Sequence, residues 1–117
     1  SARLALSRRA ELSVLPKLLK DTREGTEHLR CSATRAIGRY ASTKASRQTD
    51  AGKSVVQALM LLLDDRAPNI RRAAAETLAR WHEQPNVAKA LREAATRHPG
   101  DLRYVVARAQ LAVGEAP

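Results

Sequence analysis

The sequence predicts an all-α solenoid of about three antiparallel helical hairpins, on three observations. First, residues 29–40 (Leu-Arg-Cys-Ser-Ala-Thr-Arg-Ala-Ile-Gly-Arg-Tyr) recur forty-one positions later at 70–81, as Ile-Arg-Arg-Ala-Ala-Ala-Glu-Thr-Leu-Ala-Arg-Trp. Repetition at such a period marks stacked structural repeats. Second, the apolar positions of each copy step by four, four and three: Leu29, Ala33, Ile37, Tyr40 and Ile70, Ala74, Leu78, Trp81. That spacing puts one apolar stripe on one helix face. Third, no segment sustains the period-two alternation of a half-buried strand. The composition, rich in Ala, Leu, Arg and Glu and without Phe, favours helix.

Each copy of the repeat follows another apolar helical segment, so the unit reads as helix A, short turn, helix B. The predicted hairpins pair 13–21 with 27–40, 54–64 with 69–82, and 86–97 with 101–113. A weaker third copy of the stripe starts at Val105 and continues through Ala109, Val113 and Gly114. A small residue at the centre of each stripe (Ala33, Ala74, Ala109) permits close helix approach. The turns fall at 21–25, 64–69 and 99–101, where Asp, Gly, Pro and Asn gather. Ser13, Ser54 and Asn86 are candidate N-caps for the A helices, and Asn69 and Asp101 for the B helices. Residues 2–10 read as one more helix ahead of the first hairpin. Residues 42–52 carry no large apolar side chain and read as a mobile polar inter-repeat loop. The predicted core is Leu29, Ala33, Ile37, Leu59, Leu63, Ile70, Ala74 and Leu78.

A length of 117 residues suits one domain, here 1–117. The chain opens on Ser1 rather than Met, so it reads as a segment of a longer protein. Its formal charge of +9, from 21 Lys and Arg against 12 Asp and Glu, points to an anionic partner. A GC-rich coding bias also yields Ala- and Arg-rich sequence, so the charge alone names no partner. The single cysteine, Cys31, excludes an internal disulfide and a multi-thiolate metal site. No apolar run reaches the length of a membrane span, the longest candidate (55–63) being short and interrupted by Gln57. A cytoplasmic location is the expectation.

These residues resemble the HEAT-repeat family. The run 61–71, Leu-Leu-Leu-Asp-Asp-Arg-Ala-Pro-Asn-Ile-Arg, is similar to the family's L-L-x-D-x-x-x-x-V-R turn. Residues 70–79 are similar to its V-R-x-x-A-x-x-A-L-G B helix, and 29–38 match the same pattern. Residues 14–19, Val-Leu-Pro-Lys-Leu-Leu, are similar to its Pro-containing A helix. The resemblance covers nearly the whole chain and is weakest in the third repeat, where Val106 stands in place of the Arg. It implies stacked hairpins that act as a scaffold or protein-binding surface, and it fixes no partner.

Some proteins of this architecture are enzymes, and their residues are missing here. HEAT-like deoxyhypusine hydroxylases hold iron through repeated His-Glu pairs early in the B helices, where this chain has Cys31-Ser32 and Arg72-Ala73. The lone His82-Glu83 pair sits at the far end of a B helix and reads as a solvated last turn, where the helix dipole favours a cation. HEAT-like DNA glycosylases cradle the extruded base region between aromatics. Tyr40 and Trp81 share one repeat position on the apolar seam and read as core. The glycines are isolated, and Gly52-Lys53-Ser54 lacks the rest of a phosphate loop. No catalytic residue, metal ligand or cofactor is therefore predicted.

The B-helix arginines are the strongest functional signal. Arg35, Arg39, Arg72, Arg80 and Arg108 lie off the apolar stripe, and stacking would align them as a basic ridge able to pair with carboxylates or phosphates, on the face that the resemblance implies is concave. The resemblance assigns the first B-helix arginines, Arg30 and Arg71, to a structural ladder with turn aspartates, for which Asp21, Asp64 and Asp65 are candidates. The expected function is a non-catalytic scaffold that engages an acidic protein surface or peptide. Electrostatic nucleic-acid binding, or a docking segment of a larger enzyme, is the alternative.

Overall fold

Threonines and prolines decide where the helices begin. The computed structural model of the protein describes residues 13–112, with side chains through Ala109. Helix α1 covers residues 13–21, α2 is Glu27–Ile37 and runs on as a 3-10 turn at Gly38–Ala41, and α3 is the single turn Lys44–Arg47. Then come α4 (Asp50–Leu62), α5 (Pro68–Ala79), α6 (Pro85–Arg97) and α7 (Pro99–Ala112). The hydroxyls of Thr26, Thr43 and Thr49 accept from the third N–H of α2, α3 and α4. Helices α5 and α6 open instead on Pro68 and Pro85, whose fixed φ suits a first helical position and whose missing N–H costs nothing there. This displaces four of the expected caps. Ser54 lies inside α4, while Asn69, Asn86 and Asp101 fall within the first turns of α5, α6 and α7. Residues 99–101, expected as a turn, already belong to α7, and α6 is broken from it at His98.

No strand occurs among the described residues, and the helices pair as hairpins. The A helices α4 and α6 pack on their B partners α5 and α7, and α5 packs on both α2 and α7. Seven of the eight expected core positions are buried, with Ile37, Leu59, Ile70, Ala74 and Leu78 fully so. Tyr40 and Trp81 are buried as well. Leu29 is the exception, at 45% exposed. Its counterpart Ile70 lies on a helix flanked by α2 and α7, whereas α2 has a B-helix neighbour only in α5 among the described residues. Leu29 rests instead beside Gly25, whose φ of 103° closes the α1–α2 turn. In the third repeat the buried stripe is Leu102, Val106 and Ala109, with Val105 at its edge. Leu102 is the deepest of these, so the stripe begins three residues earlier than the Val105 register. Val113, Gly114 and the helix expected at 2–10 lie outside the described residues.

The stretch 42–52 is the main departure. It holds α3 and the first residues of α4, and Arg47 anchors it. That side chain is 7% exposed, donates to the Ala41 carbonyl (3.0 Å) and to Glu83 (3.1 Å), and lies 5.4 Å over the Trp81 ring. A guanidinium here does the anchoring expected of an apolar side chain. Gly52 lets α4 start against α3, because a Cβ at residue 52 would sit 1.9 Å from the Ser46 carbonyl oxygen. His82, expected in a solvated turn, is 3% exposed, because the turn at 80–83 buries Trp81 and His82 while Arg80 and Glu83 stay at the surface.

Candidate functional site

The B helices α2, α5 and α7 stand side by side, while the A helices α4 and α6 make no comparable contact with each other. The B helices thus form one continuous layer. Two grooves run between its helices. The α2–α5 groove, about 310 Å³, is lined by Glu27, His28, Cys31, Arg35, Asn69 and Arg72. The α5–α7 groove, about 660 Å³, is lined by Arg72, Glu76, Ala79, Arg80, Gly100, Asp101, Tyr104, Val105, Arg108 and Ala109. Arg72 borders both.

Below the grooves, arginines tie turn to helix. Arg30 pairs with Asp65 and donates from Nε to the Thr22 carbonyl (2.9 Å). Arg71 pairs with Asp101, its Nε at 2.9 Å, and donates from Nη1 to the Asp65 carbonyl (2.7 Å). Each of these arginines therefore reaches forward to an aspartate of the next repeat. Asp101, which sequence reasoning did not name as a partner, serves Arg71 because it opens α7. Asp21 instead meets Lys17 of its own helix (3.4 Å). Asp64 meets Arg97 (2.8 and 3.0 Å) and His98 (3.0 Å). The hydrogen bond from Arg97, with His98 beside it, holds the Asp64 carboxyl below the usual carboxylate range and raises Arg97 in turn. At Asp65 burial pushes the carboxyl up, but the bonds from Arg30 and the Ala67 N–H together outweigh it and hold it down.

Of the five arginines singled out for binding, the structure gathers Arg72, Arg80 and Arg108 around one groove. Arg35 lines the neighbouring groove and pairs with Glu76 (2.9 Å). Arg39 borders neither groove and lies over the Tyr40 ring at 5.3 Å. The pairing of the acids sets the charge. Glu76 is taken by Arg35 and Asp101 by Arg71, so both carboxylates on the α5–α7 groove are neutralised by arginines outside its lining. The side chains of Arg72 and Arg80 have no ion pair or hydrogen bond among the described residues, and Arg108 lies 5.7 Å over the ring of Tyr104. The groove thus keeps three cationic side chains unmatched by acid.

Sequence reasoning missed Tyr104, which is 71% exposed and forms a wall of this groove. The shifted register of α7 hid it, although its place two residues after Leu102 puts it off the buried stripe. A second basic cavity, about 580 Å³, is lined by Lys44, Arg47, Lys53 and Glu83 among others, and was missed because 42–52 reads as a loop.

The family description "HEAT repeats" matches this chain over residues 13–110. The chain belongs to the HEAT-repeat family. No curated protein matches it, nor does any solved structure. HEAT repeats are generally protein-interaction scaffolds. Among the described residues of this HEAT-repeat protein, no cluster of three or more His, Cys, Asp or Glu could hold a metal. No helix among them is long and apolar enough to cross a membrane.

Proposed function

We propose that this HEAT-repeat chain is a non-catalytic binding module that takes an acidic segment of a partner protein into the groove between α5 and α7. One observation carries the reading: Arg72, Arg80 and Arg108 line a single groove whose two carboxylates, Glu76 and Asp101, are already paired elsewhere. A well-formed charge-assisted bond contributes about 1.5–3 kcal/mol, while an exposed pair contributes under about 1 kcal/mol. Three unmatched arginines along one groove favour the former, because they act as a network rather than as isolated pairs. A protein segment suits it better than nucleic acid. One exposed aromatic in its lining is too few for a stacking platform.

The test uses a fluorescein-labelled oligoglutamate peptide as probe, read by anisotropy. Arg72→Glu with Arg80→Glu should weaken binding by about a hundredfold or more, from the loss of two charge-assisted contacts. The melting temperature should hold, because neither side chain is buried or paired. Unchanged peptide binding in the double variant overturns the proposal. So does displacement of the peptide by an equal concentration of single-stranded oligonucleotide, which would favour the nucleic-acid reading.

A further inference from the structure

We infer that the acidic segment bound by the α5–α7 groove carries an aromatic side chain, seated on Tyr104 between flanking carboxylates. The inference rests on the acidic-segment reading and specifies its ligand. Among the aromatic residues, Tyr40 and Trp81 are 9% and 3% exposed, whereas Tyr104 presents 71% of its surface. Tyr and Arg, with Trp, are the residue types enriched at the hot spots of protein interfaces. The remaining lining near it is apolar and small: Ala79, Val105 and Ala109. Small residues leave volume, and at Gly100 on the rim an added Cβ would meet nothing within 4 Å. The groove therefore offers an apolar seat for one large side chain, with Tyr104 as its aromatic wall.

The cations define the rest of the ligand. Arg108 lies over the Tyr104 ring, so its guanidinium borders the seat directly, and Arg72 and Arg80 stand on the α5 side. A carboxylate on either side of the anchor would meet an arginine that lacks an acidic partner. An aromatic anchor fits better than an aliphatic one. Its ring pairs with Tyr104 in addition to burying area, and its face accepts a guanidinium edge or plane.

The experiment compares labelled peptides Gly-Glu-Glu-X-Glu-Glu-Gly with X as Trp, Leu or Ala, against the parent chain and Tyr104→Ala. The Trp peptide should bind the parent about tenfold more tightly than the Ala peptide, with Leu between them. In Tyr104→Ala the three should bind within about twofold of one another, because the seat is gone while the arginines remain. Tyr104 is largely exposed, so its removal leaves the core intact, and an unchanged circular dichroism melt verifies this. Equal binding of the Trp and Ala peptides to the parent, or a Trp advantage that survives in Tyr104→Ala, overturns the inference. If the acidic peptides still bind and need Arg72 and Arg80, the proposed function stands without it. If no acidic peptide binds the parent, the proposed function fails as well. Sedimentation of the chain alone covers the other occupant: a dimer that Tyr104→Ala dissociates would assign the seat to a second copy and overturn the inference.

Discussion

Gly52→Ala is a substitution that helix propensity alone would favour. Gly52 is the third residue of α4, its φ is not positive, and its N–H donates to the Thr49 hydroxyl at 3.0 Å. In an ordinary helix, replacing Gly by Ala gains about 1 kcal/mol. Here the new methyl would lie 1.9 Å from the Ser46 carbonyl oxygen, 2.7 Å from its carbon and 2.9 Å from the Arg47 Cα. All three are backbone atoms, so no side chain can rotate away, and α3 must separate from α4 by more than an ångström. Such overpacking costs about 1–3 kcal/mol. The displaced segment carries Arg47 with it, and weakening its bond to Glu83 costs about a further 1.5–3 kcal/mol. Against the propensity gain, the net loss is about 1.5–5 kcal/mol, or roughly 6–25 °C in melting temperature for a domain of this size. Urea unfolding followed by circular dichroism at 222 nm measures it. Gly100→Ala is the matched control, a helical glycine whose added methyl meets nothing within 4 Å, and it should be neutral or slightly stabilising. A Gly52→Ala protein as stable as the parent would refute the close approach of α3 to α4.

Two further outcomes follow from the core and the charged turns. Leu78→Ala, at a fully buried position of α5, should lose about 2–5 kcal/mol in the same urea assay, and Ala74→Leu should also destabilise by crowding the helix crossing. Asp64 and Asp65 have carboxyls held below their unfolded value near pH 3.9, so their contribution to stability is present above about pH 4 and is lost as pH falls through the depressed folded values. Urea midpoints measured from pH 7 down to pH 2 should therefore drop most steeply below about pH 4. Asp65→Asn should flatten that drop, and an unchanged slope would remove Asp65 from the account.

The apolar stripe was legible in the residues because a helix converts spacing into a face without help from distant chain. Ile37, Ile70, Ala74 and Leu78 follow from that alone. What escaped depends on neighbours in space. Leu29 has the right spacing, but its burial needs a second flanking B helix. Arg47 looks like any solvated loop arginine until α5 delivers Trp81 and Glu83 to it across more than thirty residues. Of the expected ladder partners, Asp21 ends α1 and Asp64 shares a turn with Asp65, and only the stacking step shows that Arg30 and Arg71 reach forward to Asp65 and Asp101. For the candidate site, Arg72, Arg80 and Arg108 were visible as off-stripe cations. Their unmatched charge was not, because it depends on Glu76 and Asp101 being engaged by Arg35 and Arg71.

Asp65 bonds in both directions along the stack. Its carboxylate accepts from Arg30, and its backbone carbonyl accepts from Arg71. One turn residue thus couples the first hairpin to the second, while Arg71 passes the coupling to Asp101 in the third. In a quasi-one-dimensional stack, nearest-neighbour terms of this kind decide whether repeats melt separately or together. With both links intact, fraying at one end must break an ion pair belonging to the next hairpin, so the three hairpins unfold as one cooperative unit.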